Sequence, residues 1–306
     1  MTRSAGKSEA LRLDGAQPVV ADALDPSAVN DAVAGARPDV VVHQLTAIPA
    51  RLNVRRIDRD FALTNRLRTE GTDNLIAAAR AAGARRFVVQ SFTGWPYARE
   101  GGPVKDEDDP LDPSPSARLA PILEAICHHE AAVVGAEGLE GVVLRYGALY
   151  GPGTSFSEDG TVTQDVRRRR FPLVGDAGGV WSFVHVEDAA GATVAAVERG
   201  APGIYVVVDD DPATVAEWLP ALAAALGAKR PRRVPAFVGR LAVGEHGVVM
   251  MTDVRGASNA KARRDLAGSR CTRVDAKASR TRSAPEAGGQ RLPAVARRAA
   301  MSSGRA

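Results

Sequence analysis

Up to about residue 210, short β-branched runs alternate with longer Ala-rich stretches whose apolar residues recur at helical spacing. That alternation predicts β-α-β units around a parallel sheet. "QPVVAD" predicts a strand over 17–22, "DPSAVNDAVAG" a helix opened by Asp25 and Pro26, and "PDVVVHQL" a buried strand over 38–45. "FALTNRLRTEGTDNLIAAARAAG" reads as one long helix over 61–82, stopped by Gly83. Strands over 85–91 and 139–147 then flank a helix over 119–136, and "IYVVV" predicts a further strand over 204–208. Beyond 210 the pattern is helical and less regular, with "PATVAEWLPALAAALG" its clearest element.

Two stretches break the rhythm. Residues 94–118 are rich in Gly, Pro and Asp, and an irregular segment that long inside a compact domain is expected to serve function. From 268 onward the apolar periodicity stops, no aromatic residue follows Phe237, and Arg, Ser, Ala and Gly dominate. This predicts a disordered, solvated tail over 268–306. The tail carries nine Lys and Arg against two acids, so the formal net charge of +4 is a property of the tail, and the basic balance is not read as nucleic-acid binding.

At 306 residues the chain can bury a core without disulfide or metal staples. Cys127 and Cys271 are far apart, in a helical pattern and in the tail, which argues against a disulfide and for a reducing, cytoplasmic setting. No apolar run reaches bilayer length, and a secretory signal pattern is missing, so no membrane partner is expected. His128 and His129 face different sides of one helix with no further ligand at suitable spacing, so no metal is expected.

Five stretches, "PDVVVHQLTA", "TNRLRTEGTDNLIAAARAAGARRFVVQS", "VVLRYGALYGPG", "WSFVHVEDAA" and "IYVVVDDDP", stand in an order and spacing that resembles the extended short-chain dehydrogenase/reductase family, in its NAD-dependent epimerase/dehydratase branch. The resemblance covers roughly residues 1–267. It implies an α/β fold: a Rossmann-like doubly wound parallel sheet with a smaller C-terminal substrate lobe. The expected division is a cofactor-binding domain over 1–150, to which the chain returns near 181–210, a substrate lobe mainly over 151–267, and the tail. Matching the motifs places Met1 just after the family's second strand, so the Gly-rich β-α-β segment that grips the pyrophosphate is expected to be missing and the domain N-terminally truncated.

The resemblance also assigns residues. Thr2 and Arg3 fall at the adenosine ribose, where a cation suits an NADP 2′-phosphate and favours NADP over NAD. Asp22 and Ala23 match the adenine edge, and Leu45, Thr46 and Ala47 the ribose and phosphates. Tyr146 matches a residue near the nicotinamide. Ser91 and Thr93 follow the strand that delivers the family's catalytic hydroxyl, which polarises the substrate oxygen. His185 and Asp188 are expected to be structural, and Asn65 to lie on the helix surface or bond locally.

One departure is chemical. The family's Tyr-x-x-x-Lys dyad falls, counting back from Glu130, on Ile122 and Ile126, and neither side chain moves a proton. Tyr97 and Lys105 lie in the 94–118 segment at a different spacing, and Glu124 and His128 form an i, i+4 pair. The implied function is an NAD(P)-dependent oxidoreductase or epimerase/dehydratase acting on a nucleotide-sugar-like or small carbonyl or alcohol substrate. A non-catalytic NADP sensor or scaffold, or an inactive fragment, stands as the alternative. Arg167 to Arg170 could meet substrate phosphates or be a helix-end charge run, and a homodimer through the helices near 61–82 and 119–136 is expected.

Overall fold

The computed structural model describes residues 1–266 together with Ala296. Apart from Ala296, the predicted tail, with Cys271, lies outside the described residues.

Four strands build the central sheet: β1 (Val40–His43), β2 (Arg86–Phe92), β3 (Glu140–Tyr146) and β4 (Gly203–Val207). They lie side by side in that order, all parallel, with Val42 opposite Val88, Val88 opposite Val142 and Leu144 opposite Tyr205. Successive strand residues point to opposite faces, and both faces are covered. Phe87, Val89 and Val143 pack with Val29, Leu75, Ala78 and Val133 on one side, while Val88, Val142, Leu144 and Tyr146 pack with Ala189, Ala195 and Ala262 on the other. Full burial of each large side chain contributes roughly 1.5–3 kcal/mol.

Seven of the helices order the site. The short α1 (Ser8–Leu13) precedes α2 (Pro26–Ala36), where the Asp25 carboxylate accepts from the Ser27 and Ala28 amides and Pro26 opens the first turn. The predicted long helix is two: α3 (Ile57–Arg68) and α4 (Glu70–Ala81) meet at Thr69, whose backbone leaves helical geometry. The Thr69 amide and hydroxyl both donate to the Asn65 carbonyl, so the ladder bond is kept at the break and the hydroxyl is added to it. Next come α5 (Ala120–Val134), α6 (Thr161–Arg167) and α7 (Val186–Glu198).

The strand expected over 17–22 does not form. Val20 makes an isolated parallel bridge with Thr2, supported by the Thr2 amide on the Val19 carbonyl, and neither joins the four-stranded sheet. A strand exists through its partners. Among the described residues β1 has a partner on one side, β2, and its other edge is open, with Val42 41% exposed.

Beyond β3 the chain builds a second cluster around Trp218, which is fully buried among Phe156, Phe171, Trp181 and Phe183. Trp218 lies on α8 (Val215–Ala225), opened by a reciprocal Thr214–Glu217 capping box. The following α9 (Ala236–Thr252) is interrupted at Gly244, whose φ of 71° suits glycine, and α10 (Ala260–Asp265) packs back on the sheet. The 94–118 segment is tied to this part by Val104–Lys105 pairing in parallel with Gly256–Ala257.

Candidate active site

At the carboxyl ends of β1, β2 and β3 the chain leaves the sheet through Leu45–Ala47, Thr93–Tyr97 and Tyr146–Gly147, the end where open α/β sheets gather ligands. The Leu45 amide donates to His43 Nδ1 and the Ala47 amide to Thr64 Oγ1, so the first of these loops is held by buried side chains. Thr46 between them is exposed.

His43 and His129 form the buried support beneath. Their rings meet edge-on with centroids 5.2 Å apart. His43 Nε2 donates to the Leu67 carbonyl, and His129 Nε2 to the Gln90 carbonyl while its Nδ1 lies 2.7 Å from the Thr72 hydroxyl. Burial, with His129 beside His43 and Arg68 beside both, pushes the pKa of His43 down to about 3 and that of His129 to about 4. Unfolded, each returns to about 6.5, so between that value and the folded pKa the unfolded chain binds more protons. Stability is therefore full above pH 6.5 and falls as the pH drops toward 4 and then 3. Urea unfolding at pH 7 and pH 5 should show this loss, and a His43→Gln variant should show a smaller one.

The two hydroxyls expected at the end of β2 have different fates. Ser91 Oγ donates to Glu130 at 2.6 Å, and Glu130 also receives two bonds from the Arg145 guanidinium, at 2.9 and 2.6 Å, in a pair whose side chains are 6% and 5% exposed. Arg145 reaches on to the Tyr97 phenol, and its guanidinium lies 5.5 Å from that ring's centroid. Burial works against the Arg145 charge, but the Glu130 carboxylate outweighs it and raises the pKa. Ser91 is thus committed to this network. Thr93 Oγ1 is also buried, with the Tyr97 phenol as its polar neighbour; that contact favours the phenolate while burial pushes the Tyr97 pKa up.

The dyad positions are filled with hydrocarbon. Ile122 and Ile126, each 1% exposed, pack with Ile57, Leu119, Phe61 and Trp95. Tyr97 and Lys105 do not substitute. Tyr97 is 1% exposed within the Arg145 network, and Lys105 donates to the Glu100 carbonyl and to Asp109. Glu124 and His128 do not pair, because His128 turns to Asp73 on α4, 2.9 Å away.

Tyr146 lies buried at the end of β3, its hydroxyl 2.6 Å from Thr193 Oγ1, and burial raises its pKa. His185 caps α7, Nδ1 accepting from the Glu187 amide, and Asp188 lies in that helix's first turn. Gly151 is required where the chain passes His185: its φ is 111°, and a Cβ there would lie 2.5 Å from Nε2. Thr2 and Asp22 bond locally, to Ser4 and Leu24, while Ala23 is buried with its carbonyl accepting from Asn74, and Arg3 is exposed. Asn65 is half-buried with an unpartnered Oδ1. Arg167 and Arg169 bond to the Glu158 and Arg230 carbonyls.

Missed by the sequence reading is a cavity of about 240 Å³ between the 94–118 segment, the start of α5 and the second half of α9, lined by Arg99, Ser116, Leu119, Glu245, His246 and Val249. Trp95 does not line it but packs edge-on against His246, centroids 5.9 Å apart. The signal was Gly244, which breaks α9 just before Glu245 and His246. Among the described residues no cluster of three or more His, Cys, Asp or Glu could hold a metal, and no helix is long and apolar enough to cross a membrane.

The sequence profile of the NAD dependent epimerase/dehydratase family matches residues 1–208. The chain is 48% identical over 254 residues to a 3-diazoavenalumate denitrifying reductase from a Streptomyces species, covering 81% of each protein. It is 28% identical over 235 residues to the 2-alkyl-3-oxoalkanoate reductase of Stenotrophomonas maltophilia, covering 74% of this chain and 68% of that one. Among solved structures it is similar to the dTDP-glucose 4,6-dehydratase of Streptomyces venezuelae with NAD bound, at 20% identity and a TM-score of 0.65, covering 87% of this chain and 79% of that one. The UDP-glucose 4-epimerase of Thermotoga maritima matches at 23% identity and a TM-score of 0.62, covering 81% and 77%. At such identities the structural likeness speaks for the Rossmann-like fold.

Proposed function

The chain belongs to the NAD-dependent epimerase/dehydratase family, and from that membership we propose that it is an NAD(P)H-dependent reductase whose substrate takes up hydride without a proton from the protein. The observation that carries this reading is the pair Ile122 and Ile126, buried in an apolar cluster where the family keeps its proton-transfer dyad. The denitrifying reductase at 48% identity supports it, since its name records loss of nitrogen from a diazo compound. Bound NAD(P)H would supply a hydride, and a hydride that replaces N2 on a diazonium carbon leaves a C–H bond and dinitrogen with charge balanced and no proton consumed.

The residues at the sheet's carboxyl edge fit the nicotinamide half of such a cofactor. Thr93 Oγ1 is a buried hydroxyl beside the Tyr97 phenol and, unlike Ser91, is not bonded to a charged group, Tyr146 walls the end of β3, and Leu45, Thr46 and Ala47 would lie along the ribose and phosphates. Thr2, Arg3, Asp22 and Ala23 would meet the adenosine end, where the exposed Arg3 favours NADP over NAD. Thr93, rather than the committed Ser91, is assigned the catalytic hydroxyl. It offers its hydrogen to the polar group beside the reacting carbon, while the isoleucine cluster keeps water away. The division into a cofactor domain over 1–150, to which the chain returns near 181–210, and a substrate lobe mainly over 151–267 is retained with this reading, as is a homodimer through α3, α4 and α5, where Val134 is 49% exposed. The nucleotide-sugar substrate is set aside, because the sugar-nucleotide enzymes are similar at 20–23% identity.

The test uses a carboxylated arenediazonium salt with NADPH stereospecifically deuterated at C4. The reading expects one deuterium in the product from one face of the nicotinamide only, none from D2O, and about tenfold or greater loss of kcat/KM in Thr93→Val, the loss of one transition-state hydrogen bond. Consumption of NADPH with carbonyl substrates alone overturns it, and no turnover at all leaves the sensor alternative.

A further inference from the structure

Around Glu130 the charges withdrawn from water do not match. Its carboxylate is held by Arg145 and by the Ser91 hydroxyl. Arg68, the last residue of α3, is a second guanidinium within reach of that charge, yet among the described residues it makes no side-chain hydrogen bond and no ion pair. Its Nη1 is buried without a partner, and the unbonded Asn65 Oδ1, one turn earlier on the same helix, does not take it. His43 and His129 beside it are neutral at pH 7, so neither supplies a counter-charge. Burial pulls the Arg68 pKa down to about 10 against the attraction of Glu130, and the residue stays charged. A cation left in this state costs free energy unless something brought in from outside completes it.

Arg68 is not sealed in. The residue is half-buried, and Nε and Nη2, equally unbonded, remain accessible. That pair is the edge on which a guanidinium takes a carboxylate with two parallel bonds. The guanidinium lies 5.9 Å from the centroid of the Phe61 ring, and Phe61 packs with Ile122 and Ile126. Thr64, one turn before Arg68, holds the Ala47 amide, so the helix that steadies the 45–47 loop also brings this charge to the isoleucine cluster. We propose that Arg68 receives the carboxylate of the substrate, and that the substrate is a zwitterion whose carboxylate offsets its diazonium charge. The second half rests on the reductase reading; the first stands on the unmatched guanidinium alone. A diazonium cation without an anionic group would be repelled here. A cofactor phosphate offers the same acceptors, but in the reading above the phosphates run along 45–47, whereas Arg68 borders Phe61 and the isoleucines.

The experiment titrates the full chain with benzoate by calorimetry, in the wild type, Arg68→Met and Arg68→Lys, with benzyl alcohol as the neutral control and NADP+ in a separate titration. Saturable benzoate binding is expected, about tenfold or more weaker in Arg68→Met and partly restored in Arg68→Lys, with NADP+ affinity unmoved. Benzyl alcohol should bind weakly and equally to all three proteins. Without ligand, Arg68→Met should melt at or above the wild type, because it removes a charge that nothing in the protein matches. Equal benzoate affinity in wild type and Arg68→Met overturns the proposal, and so does a matching loss of NADP+ affinity, which gives the anion to the cofactor. An Arg68→Met protein that melts well below the wild type, with Arg68→Lys no better at binding benzoate, shows a packing role and overturns it too. If benzoate binds through Arg68 but no diazonium carboxylate is reduced, the carboxylate site stands and the reductase reading falls. If reduction proceeds with a KM that Arg68→Met leaves unmoved, the reading stands and this assignment falls.

Discussion

Replacing Glu130 by Gln should lower the stability of the protein by about 3–5 kcal/mol, because it leaves the Arg145 guanidinium buried without its counter-charge. The pair is bonded twice, at 2.9 and 2.6 Å, with both side chains almost wholly out of water. It joins α5, which carries Glu130, to β3, which carries Arg145, and through the Ser91 hydroxyl to β2. Loss of the charge thus loosens three elements that converge beneath the site. The double variant Glu130→Gln/Arg145→Met removes both charges and should recover a large part of the loss. Urea unfolding of the wild type, the two single variants and the double variant measures the coupling. Additive losses in the double variant would mean that the pair acts as two independent residues.

Much of this was legible in the chain itself, and the exceptions share a cause. Strands β1 to β4 follow from β-branched runs with both faces apolar, and helix α2 from Asp25 and Pro26, because these signals are local. The segment 17–22 has the same composition as a sheet strand but bridges Thr2 alone, since strand formation depends on a partner that local sequence does not specify. The helix over 61–82 carries a continuous helical pattern, and its break is a departure of the Thr69 backbone to φ −95°, ψ −88°, which the spacing of apolar residues does not encode. Motifs fix where Thr93 and Tyr146 stand, at the carboxyl ends of β2 and β3, and the structure has them there. The contacts these residues make were not legible where distant segments meet. The bond that commits Ser91 to Glu130 spans 39 residues, and the contact of His128 with Asp73 spans 55. Trp95 and His246, 151 positions apart in sequence, meet only because the 94–118 segment and α9 are packed together.

The same packing bears on whether a proton-transfer dyad could be restored. Ile122 and Ile126 do not border an empty slot; they are pressed against Ile57, Leu119, Phe61 and Trp95 with 1% of their surface exposed. An ammonium placed at 126 would have no partner in that cluster, so it would either cost several kcal/mol or lose its proton. The Ile122→Tyr/Ile126→Lys variant should therefore melt several degrees below the wild type, on the order of 5 °C or more for a chain of this size. It should also reduce a diazonium carboxylate more slowly, because the added groups serve a proton step that this reaction does not contain and loosen the walls that exclude water. Wild-type kcat should in turn stay level from about pH 6.5 to 9, with no group of the protein titrating in the chemical step. Thermal melting and initial rates across that pH range check both expectations. A double variant that keeps wild-type stability and gains turnover would mean that the isoleucine cluster is a vacated dyad site, and the proton-free reading would fail with it.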